Sequence, residues 1–424
     1  MYFRDFVKKL DESGLLVRIK KEVDSEYEVS TLMRQMDGRA LLFEHVKGHT
    51  MPVVANVCST REMIAIGMGI KKEDITKTIT RAIDNPSKPA IGKADDFEER
   101  EPDLKKIPIL RYYQQDGGPY VASAIVVTEL SGLGTNVSYH RMMVIDHDKV
   151  VLRILPRHFD EFIKRGVNRF AICIGAPVQV LVAGAVSAEL GKSELDIANS
   201  IEPYELVELD GFRVPKSEIV MIASFTGEMH DEGPFVDLTG TRDMVRKQRV
   251  ARIEKIFMRK NAAFHALLPG GLEHKELMGM PKEPTVFREV NKVCECRDVY
   301  ITPGGCSWLH GVVSIKKKSA DDGLKAIDAA FQGHKSMKHV FIVDEDIDIH
   351  NPAEVEWAMA TRFQGDRGLV VKRKEIGSSL DPSADPETRE TTKVGFDLTK
   401  PLDRPEDDFK KVGLPLELKP EDYL

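Results

Sequence analysis

The sequence predicts an α/β plus β fold: an N-terminal α/β domain, a central antiparallel β domain forming a partly closed barrel, and a C-terminal α/β domain. Three observations carry this. The first hundred or so residues alternate helical and strand patterns, the stretch from about Ile109 to Leu268 is dense in short strands separated by turns, and alternation returns after Pro269-Gly270-Gly271. A chain of 424 residues also exceeds what one core usually serves, so two or three domains are expected. The boundaries read from these shifts are 1–107, 108–270 and 271–424.

In the first part, Phe3, Phe6, Val7 and Leu10 recur at three- and four-residue steps and mark an amphipathic helix. Ala40-Leu41-Leu42-Phe43 and Pro52-Val53-Val54-Ala55 read as short buried strands. Residues 93–108, KADDFEEREPDLKKIP, are charged and end at a proline, as a connector does. In the second part strands are expected at Ala122 to Glu129, Asn136 to Ile145, Lys149 to Leu155, Ala176 to Ala183 and Glu218 to Phe225. Helices interrupt them at Arg157 to Arg165 and at Leu190 to Ser200, where Ser193 can cap a helix carrying Glu194 in its first turn. In the third part Val299 to Thr302, Gly311 to Lys316 and His339 to Val343 read as buried strands, with helices at Ala320 to Phe331 and Ala353 to Arg362. From Ser378 the chain is rich in proline and acidic residues and reads as a tail wrapping a surface.

Composition excludes several function classes. No apolar run approaches the roughly 18 to 20 residues a membrane span needs, and the start, MYFRDFVKKLDESG, has no apolar core of a secretory signal, so a cytoplasmic protein is expected. A net charge of -7 gives no basic footprint for nucleic acid. The five cysteines, Cys58, Cys173, Cys294, Cys296 and Cys306, are odd in number and scattered, unlike a disulfide framework. Gly67-Met68-Gly69 lacks the third glycine of a nucleotide fingerprint, and His45 and His49 flank a glycine, which argues against a metalloprotease helix.

Two stretches can carry chemistry. Residues 227–240 read GEMHDEGPFVDLTG, with Glu232 and Asp237 five apart across Gly233-Pro234, a spacing unlike a regular helix. Two carboxylates held close tend to split their protonation, one staying ionised while the other keeps a proton it can donate; standing alone, an acidic Gly-Pro segment is most often a solvated turn. The second stretch is TNVSYHRMMV. The strand period puts Asn136, Ser138 and His140 on one face and Val137, Tyr139 and Arg141 on the other. An Asn carbonyl suits a hard cation and an Arg suits a carboxylate or phosphate, although a polar sheet face reads the same way.

Taken in order, these residues resemble the UbiD-like family of decarboxylases that use prenylated flavin mononucleotide. The resemblance runs through Asn136, Arg141, Arg153, His158, SELDIANSI with Glu194, and DEGPFVDLTG. It extends to DGGPY (Asp116 to Tyr120), GGCSWLHGVVSIKK (Gly304 to Lys317), VDEDIDIHNPAEVEWAMATRF (Val343 to Phe363) and KVGFDLTKP (Lys393 to Pro401). It implies a split-barrel flavin-binding domain between two α/β domains, the last one supporting homo-oligomers. It implies Mn2+ or a similar divalent metal, with K+ beside it, on the flavin phosphate. By position Asn136, His158 and Glu194 are then the metal ligands, with His158 alternatively on the flavin, and Tyr139, His140, Arg141, Arg153, Leu155 and His158 line the cofactor. It further implies that an α,β-unsaturated acid adds to the prenylated flavin, loses carbon dioxide and is protonated, with Arg141 as carboxylate clamp, Glu232 as its paired carboxylate and Asp237 as proton donor. A flavin prenyltransferase would supply the cofactor.

The chain departs from many relatives at Asp231, Val236 and Thr241, which bear on the substrate pocket rather than on the acid pair. Its compactness and fewer aromatic walls resemble the archaeal branch acting on trans-anhydromevalonate 5-phosphate in isoprenoid biosynthesis. A 4-hydroxybenzoate-type acid is the alternative substrate, and a non-catalytic flavin or metal-binding subunit is the alternative outside enzymes. A phosphate-bearing substrate needs cationic donors; Arg242, Arg246, Lys247 and Arg249 follow the acidic motif, and read by themselves they are a solvated helix face.

Overall fold

The computed structural model describes residues 1–186, 188–413 and Tyr423. Its N-terminal part packs the helices Phe3–Glu12, Glu28–Gln35, Arg61–Met68 and Ile75–Asp84 around a small mixed sheet. The strands run Leu16–Ile19, Ala40–Phe43, Val53–Ala55, and then Phe264–Ala266, which arrives from much later in the chain and lies parallel to Val53–Ala55. The first helix buries Phe3, Phe6 and Leu10, the apolar stripe its spacing predicts. Thr60 caps the third helix by accepting from the Met63 N–H at 3.2 Å, and Gly69 ends it in the left-handed region.

The central part is a nine-stranded sheet that stays open. Its order is Tyr120–Val121, Met142–Val144, Lys149–Leu152, Arg246–Arg259, Ile219–Glu232, Arg169–Ile174, Ile125–Leu130, Gly134–Tyr139, with Phe97–Arg100 added on Arg246–Arg259. Alternating residues feed two cores. Ile125, Val127, Ala171, Cys173, Val220 and Ile222 pack on one side, and Val126, Ile172, Ile174, Ile219, Met221 and Ala223 on the other. That is why these strands are apolar at successive positions rather than at every second one.

The C-terminal part is a five-stranded sheet, Glu295–Ile301, His310–Lys316, His339–Asp344, Glu390–Asp397, Leu369–Ile376, with helices Glu283–Asn291, Asp322–Gly333 and Pro352–Arg362. Among the described residues no helix is long and apolar enough to cross a membrane.

Four expectations are corrected. Ala176 to Ala183 is not a strand: Val178–Ala183 is a helix, buried throughout, with Pro177 before it. A short, largely apolar run is ambiguous between the two, and the proline is the usable cue. Asn136 to Ile145 is not one strand but two, Gly134–Tyr139 and Met142–Val144, broken at His140 and Arg141. Arg242, Arg246, Lys247 and Arg249 lie on strands, Arg242–Asp243 and Arg246–Arg259, not on a helix. The segment after Ser378 is no mere wrapping, because Glu390–Asp397 is an internal strand of the C-terminal sheet. The end of the tail assigned to oligomerisation, residues 414–422 and 424, lies outside the described residues.

Two joints hold the site-bearing segments. Gly117 of the DGGPY stretch donates its N–H to the Pro234 carbonyl at 3.0 Å, and a methyl group on it would overlap the Gly233 carbonyl oxygen and the Met143 sulfur. Arg61 reaches across to two buried carboxylates, Glu276 at 3.7 Å and Glu283, binding the third N-terminal helix to the segment that opens the C-terminal part. Burial raises Glu276 to about 7, the neighbouring Glu283 adding to this and Arg61 opposing it.

Two outcomes follow from these joints. Gly117→Ala should push the Gly233-Pro234 turn outward and destabilise the protein by roughly 1–3 kcal/mol, read as a lower denaturant midpoint with unchanged slope. Because Glu276 keeps its proton to about pH 7 in the folded chain while an unfolded glutamate ionises near 4.5, stability should fall as pH rises through that window. Glu276→Gln should flatten this slope, recovering on the order of 3 kcal/mol at pH 8 in thermal melts across pH 5 to 8.

Candidate active site

One cavity of about 560 Å³ gathers most of the chemistry-bearing residues. Its walls are the strand Gly134–Tyr139, the segment from Arg153 to Phe159, the turn after the helix Val178–Ala183, the start of Glu194–Ile201, Phe235 and Asp237, and residues between Leu267 and Lys282. Asn136, Tyr139, His140, Arg141, Arg153, Leu155, His158, Glu194 and Asp237 all line it, whereas Glu232 stands behind Arg141.

Glu194 is the first residue of its helix, capped as expected by Ser193, whose Oγ accepts from the Leu195 N–H at 3.2 Å. Its carboxyl is 3% exposed and accepts the Val137 N–H at 2.9 Å, and burial pushes it up to about 7. No cationic side chain pairs with it among the described residues. Asn136, also buried, and His158, first residue of the helix His158–Lys164, share the cavity with it. A buried carboxyl lacking a counter-ion, an amide oxygen and an imidazole are a donor set that suits a hard divalent cation, so these residues fit the metal the resemblance implies.

His140 is fixed by two contacts. Its Nδ1–H donates to the Arg153 carbonyl at 3.0 Å, so its Nε2 accepts from Ser138 Oγ at 2.9 Å, and burial lowers it to about 4. It is therefore a neutral ring near pH 7, packed on Phe159 with centroids 4.9 Å apart. Tyr139 donates its hydroxyl to the Leu181 carbonyl at 2.9 Å. The strand ends at Tyr139, so the alternation predicted for His140 and Arg141 gives way and both line the cavity.

At the acid end Arg141 binds three carboxylates. Nε and Nη2 hold Glu232 at 2.9 and 3.1 Å, Nη1 holds Asp237 at 2.6 Å, and Nη2 also holds Asp243 at 2.7 Å. Four of its five N–H groups are thus committed within the protein, which leaves one on Nη1. The guanidinium lies over the Phe235 ring, 4.3 Å from the centroid. Tyr120 donates to Glu232 at 3.0 Å, and Arg246 to Asp243 at 2.7 Å. Burial works to raise Asp243, but Arg141 and Arg246 outweigh it and hold it below the usual carboxylate range. Glu232 is fully buried and Asp237 is 19% exposed, so the two acids that look alike in sequence face different surroundings.

The long hairpin of Ile219–Glu232 and Arg246–Arg259 carries this arrangement at its tip, where Glu232 is in register with Arg246 and Phe235–Val236 pairs with Arg242–Asp243. The other polar residues of the motif point elsewhere: exposed Glu228 pairs with Lys149 at 3.0 Å, and Asp231 with Lys247 at 3.4 Å. Sequence reasoning missed Asp243, His274 and Lys282, and saw Tyr120 only as part of a motif. His274 is a half-buried cavity residue whose Nδ1 accepts the Gly270 N–H at 3.1 Å, which leaves Nε2 carrying the proton of the neutral ring. Its nearest signal, Pro269-Gly270-Gly271, reads as a domain break. None of Arg242, Arg246, Lys247 and Arg249 lines the cavity; its Arg and Lys residues are Arg141, Arg153, Arg157 and Lys282.

Residues 7–83, 85–272 and 275–398 match, respectively, the N-terminal, Rift-related and C-terminal domains of 3-octaprenyl-4-hydroxybenzoate carboxy-lyase, UbiD. The anhydromevalonate phosphate decarboxylase of Methanothermobacter thermautotrophicus is 40% identical over 412 residues, covering 94% of this chain and 97% of its own. That of Methanocaldococcus jannaschii is 39% identical, covering 93% and 96%. The UbiD-class enzyme HmfF from Pelotomaculum thermopropionicum, solved in complex with FMN, superposes with a TM-score of 0.95 at 33% identity over all of both chains. An evolved dimeric form of that enzyme, in complex with prFMN, gives 0.91 at 32%, again over all of both chains.

Arg141→Met leaves Glu232 buried without its cation, and removing one partner of such a pair costs roughly 3–5 kcal/mol. The variant should unfold at distinctly lower denaturant than the parent, and Glu232→Gln, which keeps the shape and one acceptor, should lose less.

Proposed function

The chain belongs to the UbiD family and is a UbiD-class decarboxylase; from that premise we propose that it releases carbon dioxide from trans-anhydromevalonate 5-phosphate to give isopentenyl phosphate. The observation that carries the substrate is the near-full-length identity, 34–40%, to archaeal enzymes named for that acid. Leu267, Leu277 and Met278 of the cavity wall support it, because they are non-aromatic and suit a small branched chain better than an aromatic ring.

Prenylated FMN would supply the electron sink for breaking the carbon–carbon bond. Tyr139, His140, Arg153 and Leu155 would hold it, with Asn136, His158 and Glu194 taking Mn2+ or a similar divalent ion, and K+ beside it. The protein's own part is orientation and one proton. Glu232, buried and off the cavity, serves as counter-ion to Arg141; the remaining Nη1 N–H of Arg141 is the donor for the substrate carboxylate; and Asp237, open to the cavity, delivers the proton to the carbon that carbon dioxide leaves. Neutral His140 adds no competing positive charge beside Arg141. A flavin prenyltransferase would furnish the cofactor, and the C-terminal part would support a homo-oligomer; the evolved form of HmfF is itself dimeric.

The test is to co-express the protein with a flavin prenyltransferase, record the cofactor's absorbance and mass, and measure carbon dioxide release from anhydromevalonate phosphate and from 4-hydroxybenzoate. Release from the first acid is expected; release from the second alone would make the aromatic reading correct, and loaded protein inert to both would defeat the substrate proposal. Asp237→Asn should abolish release while cofactor content stays at the parent's level, and full activity in that variant would remove Asp237 from its role.

A further inference from the structure

Asp237 is held at its side chain and at its backbone by different parts of the molecule. Its Oδ2 accepts from Arg141 Nη1 at 2.6 Å and its Oδ1 from the Leu238 N–H at 2.7 Å. The backbone closes a tight turn, in which the Gly240 N–H donates to the Asp237 carbonyl at 2.8 Å and the Asp237 N–H to the Thr241 carbonyl at 3.0 Å. Gly270 stands against that turn. It is in the left-handed region at φ 68°, and a methyl group on it would lie 3.0 Å from the Asp237 carbonyl oxygen and 3.3 Å from Gly240 Cα. The two backbones are therefore in contact, and a retreat of Pro269-Gly270-Gly271 would leave the proton donor's turn without support.

Pro269-Gly270-Gly271 is gripped by side chains from far earlier in the chain. Tyr113 donates its hydroxyl to the Pro269 carbonyl at 2.8 Å and accepts on it from Arg34 Nη2 at 2.7 Å. Arg34 also donates from Nη1 to the Gly270 carbonyl at 3.3 Å and from Nη2 to the Pro269 carbonyl at 3.4 Å. Asp37, 3.6 Å from Arg34, accepts the Leu272 N–H on its two carboxylate oxygens at 3.0 and 3.2 Å, which fixes the first residue of the helix Leu272–Gly279. Tyr113 secures the other end of the acid segment as well. Its backbone N–H donates to Asp116 Oδ2 at 2.9 Å, and the next residue, Gly117, donates to the Pro234 carbonyl at 3.0 Å. The supports at Pro234 and at Asp237 thus meet at Tyr113, which itself lies off the cavity.

We infer that Tyr113, backed by Arg34, is a positioning residue for proton delivery by Asp237. This rests on the proposed role of Asp237 as proton donor. A proton passes between heavy atoms roughly 2.6–3.2 Å apart, and a misplacement of about 1 Å costs on the order of a hundredfold in rate. Arg141 alone does not prevent one, because it holds the tip of the carboxylate while the backbone behind it must be stopped separately. Gly270 is that stop, and glycine suits the position because it takes a left-handed φ with no side-chain atom facing Asp237. A phenol hydroxyl suits the position behind it, since one group both donates to a carbonyl and accepts from a guanidinium.

Flavin-loaded protein and the variants Tyr113→Phe, Arg34→Ala and Arg34→Lys test this. Tyr113→Phe keeps the ring and removes only the hydroxyl, and Arg34 is 45% exposed, so its variants leave the core untouched even if Tyr113→Phe folds poorly. Hydrogen exchange over residues 233–241 needs no substrate. It should quicken about three- to tenfold in Tyr113→Phe and Arg34→Ala, the worth of one hydrogen bond, with Arg34→Lys closer to the parent. On the acid that the parent turns over, kcat should fall about ten- to a hundredfold with KM and flavin content unchanged. Carbon dioxide should still leave at the parent's rate in a single turnover, and the solvent deuterium isotope effect should rise as the proton step becomes limiting. Exchange equal to the parent's in Tyr113→Phe and Arg34→Ala would overturn the inference even in a protein inert to both acids. So would an unchanged kcat, or a loss of flavin or of the rate of carbon dioxide release in step with kcat, which mark a general loosening. Asp237→Asn, run beside them, separates the two claims. If it halts the proton step while Tyr113→Phe matches the parent, Asp237 keeps its role and Tyr113 loses the one inferred here; full turnover by Asp237→Asn would remove the reading on which the inference rests.

Discussion

The guanidinium of Arg141 is the constraint on which the site depends. Bound to Glu232 through two nitrogens and stacked over Phe235, it is immobile, and everything that must be placed relative to it can be placed. Its own position requires a break in the sheet: were Gly134–Tyr139 to run on through Met142, strand alternation would put His140 and Arg141 on opposite faces. It also requires three carboxylates from one hairpin tip, so the long strands Ile219–Glu232 and Arg246–Arg259 act as a mast for that tip. The two acids are not a bare pair repelling one another, because the cation between them offsets their charges.

That arrangement was half legible in the sequence. Glu232 and Asp237 could be noticed from their spacing, and Asn136 and Arg141 from their strand, whereas His158 and Glu194 stood out only through the resemblance to the UbiD-like family; the structure places Asn136, Arg141, His158, Glu194 and Asp237 on one cavity. Strand positions in the central part were read well where alternate residues fill two cores, as at Ile125 to Leu130. What failed was local ambiguity. Val178 to Ala183 is apolar but for Gln179 and buried throughout, and nothing in its periodicity separates a buried helix from a buried strand. Asp243, His274 and Lys282 were invisible for another reason: each gains meaning from a neighbour far away in sequence, Asp243 from Arg141, His274 from Asp237, and Lys282 from the Ala185 carbonyl.

The parts are also laced together in a way that a linear division conceals. Phe97–Arg100 contributes to the central sheet and Phe264–Ala266 to the N-terminal one, while Arg61 grips Glu276 and Glu283 from the opposite side. The segment from Leu267 to Lys282 is thus held at its start by a strand pairing and at its end by a buried ion cluster. Such fixation is what a wall needs if it is to measure a ligand.

The division between hairpin tip and wall has an evolutionary reading. The acids come from one hairpin tip and their arginine from the break after Gly134–Tyr139, whereas another part of the cavity wall comes from a separate run of about fifteen residues, with its own anchors. Descent can therefore redraft the wall, exchanging a lysine for a leucine or lengthening a helix, without disturbing the proton donor. A single ancestral chemistry could in this way be inherited intact by lineages that feed on quite different acids.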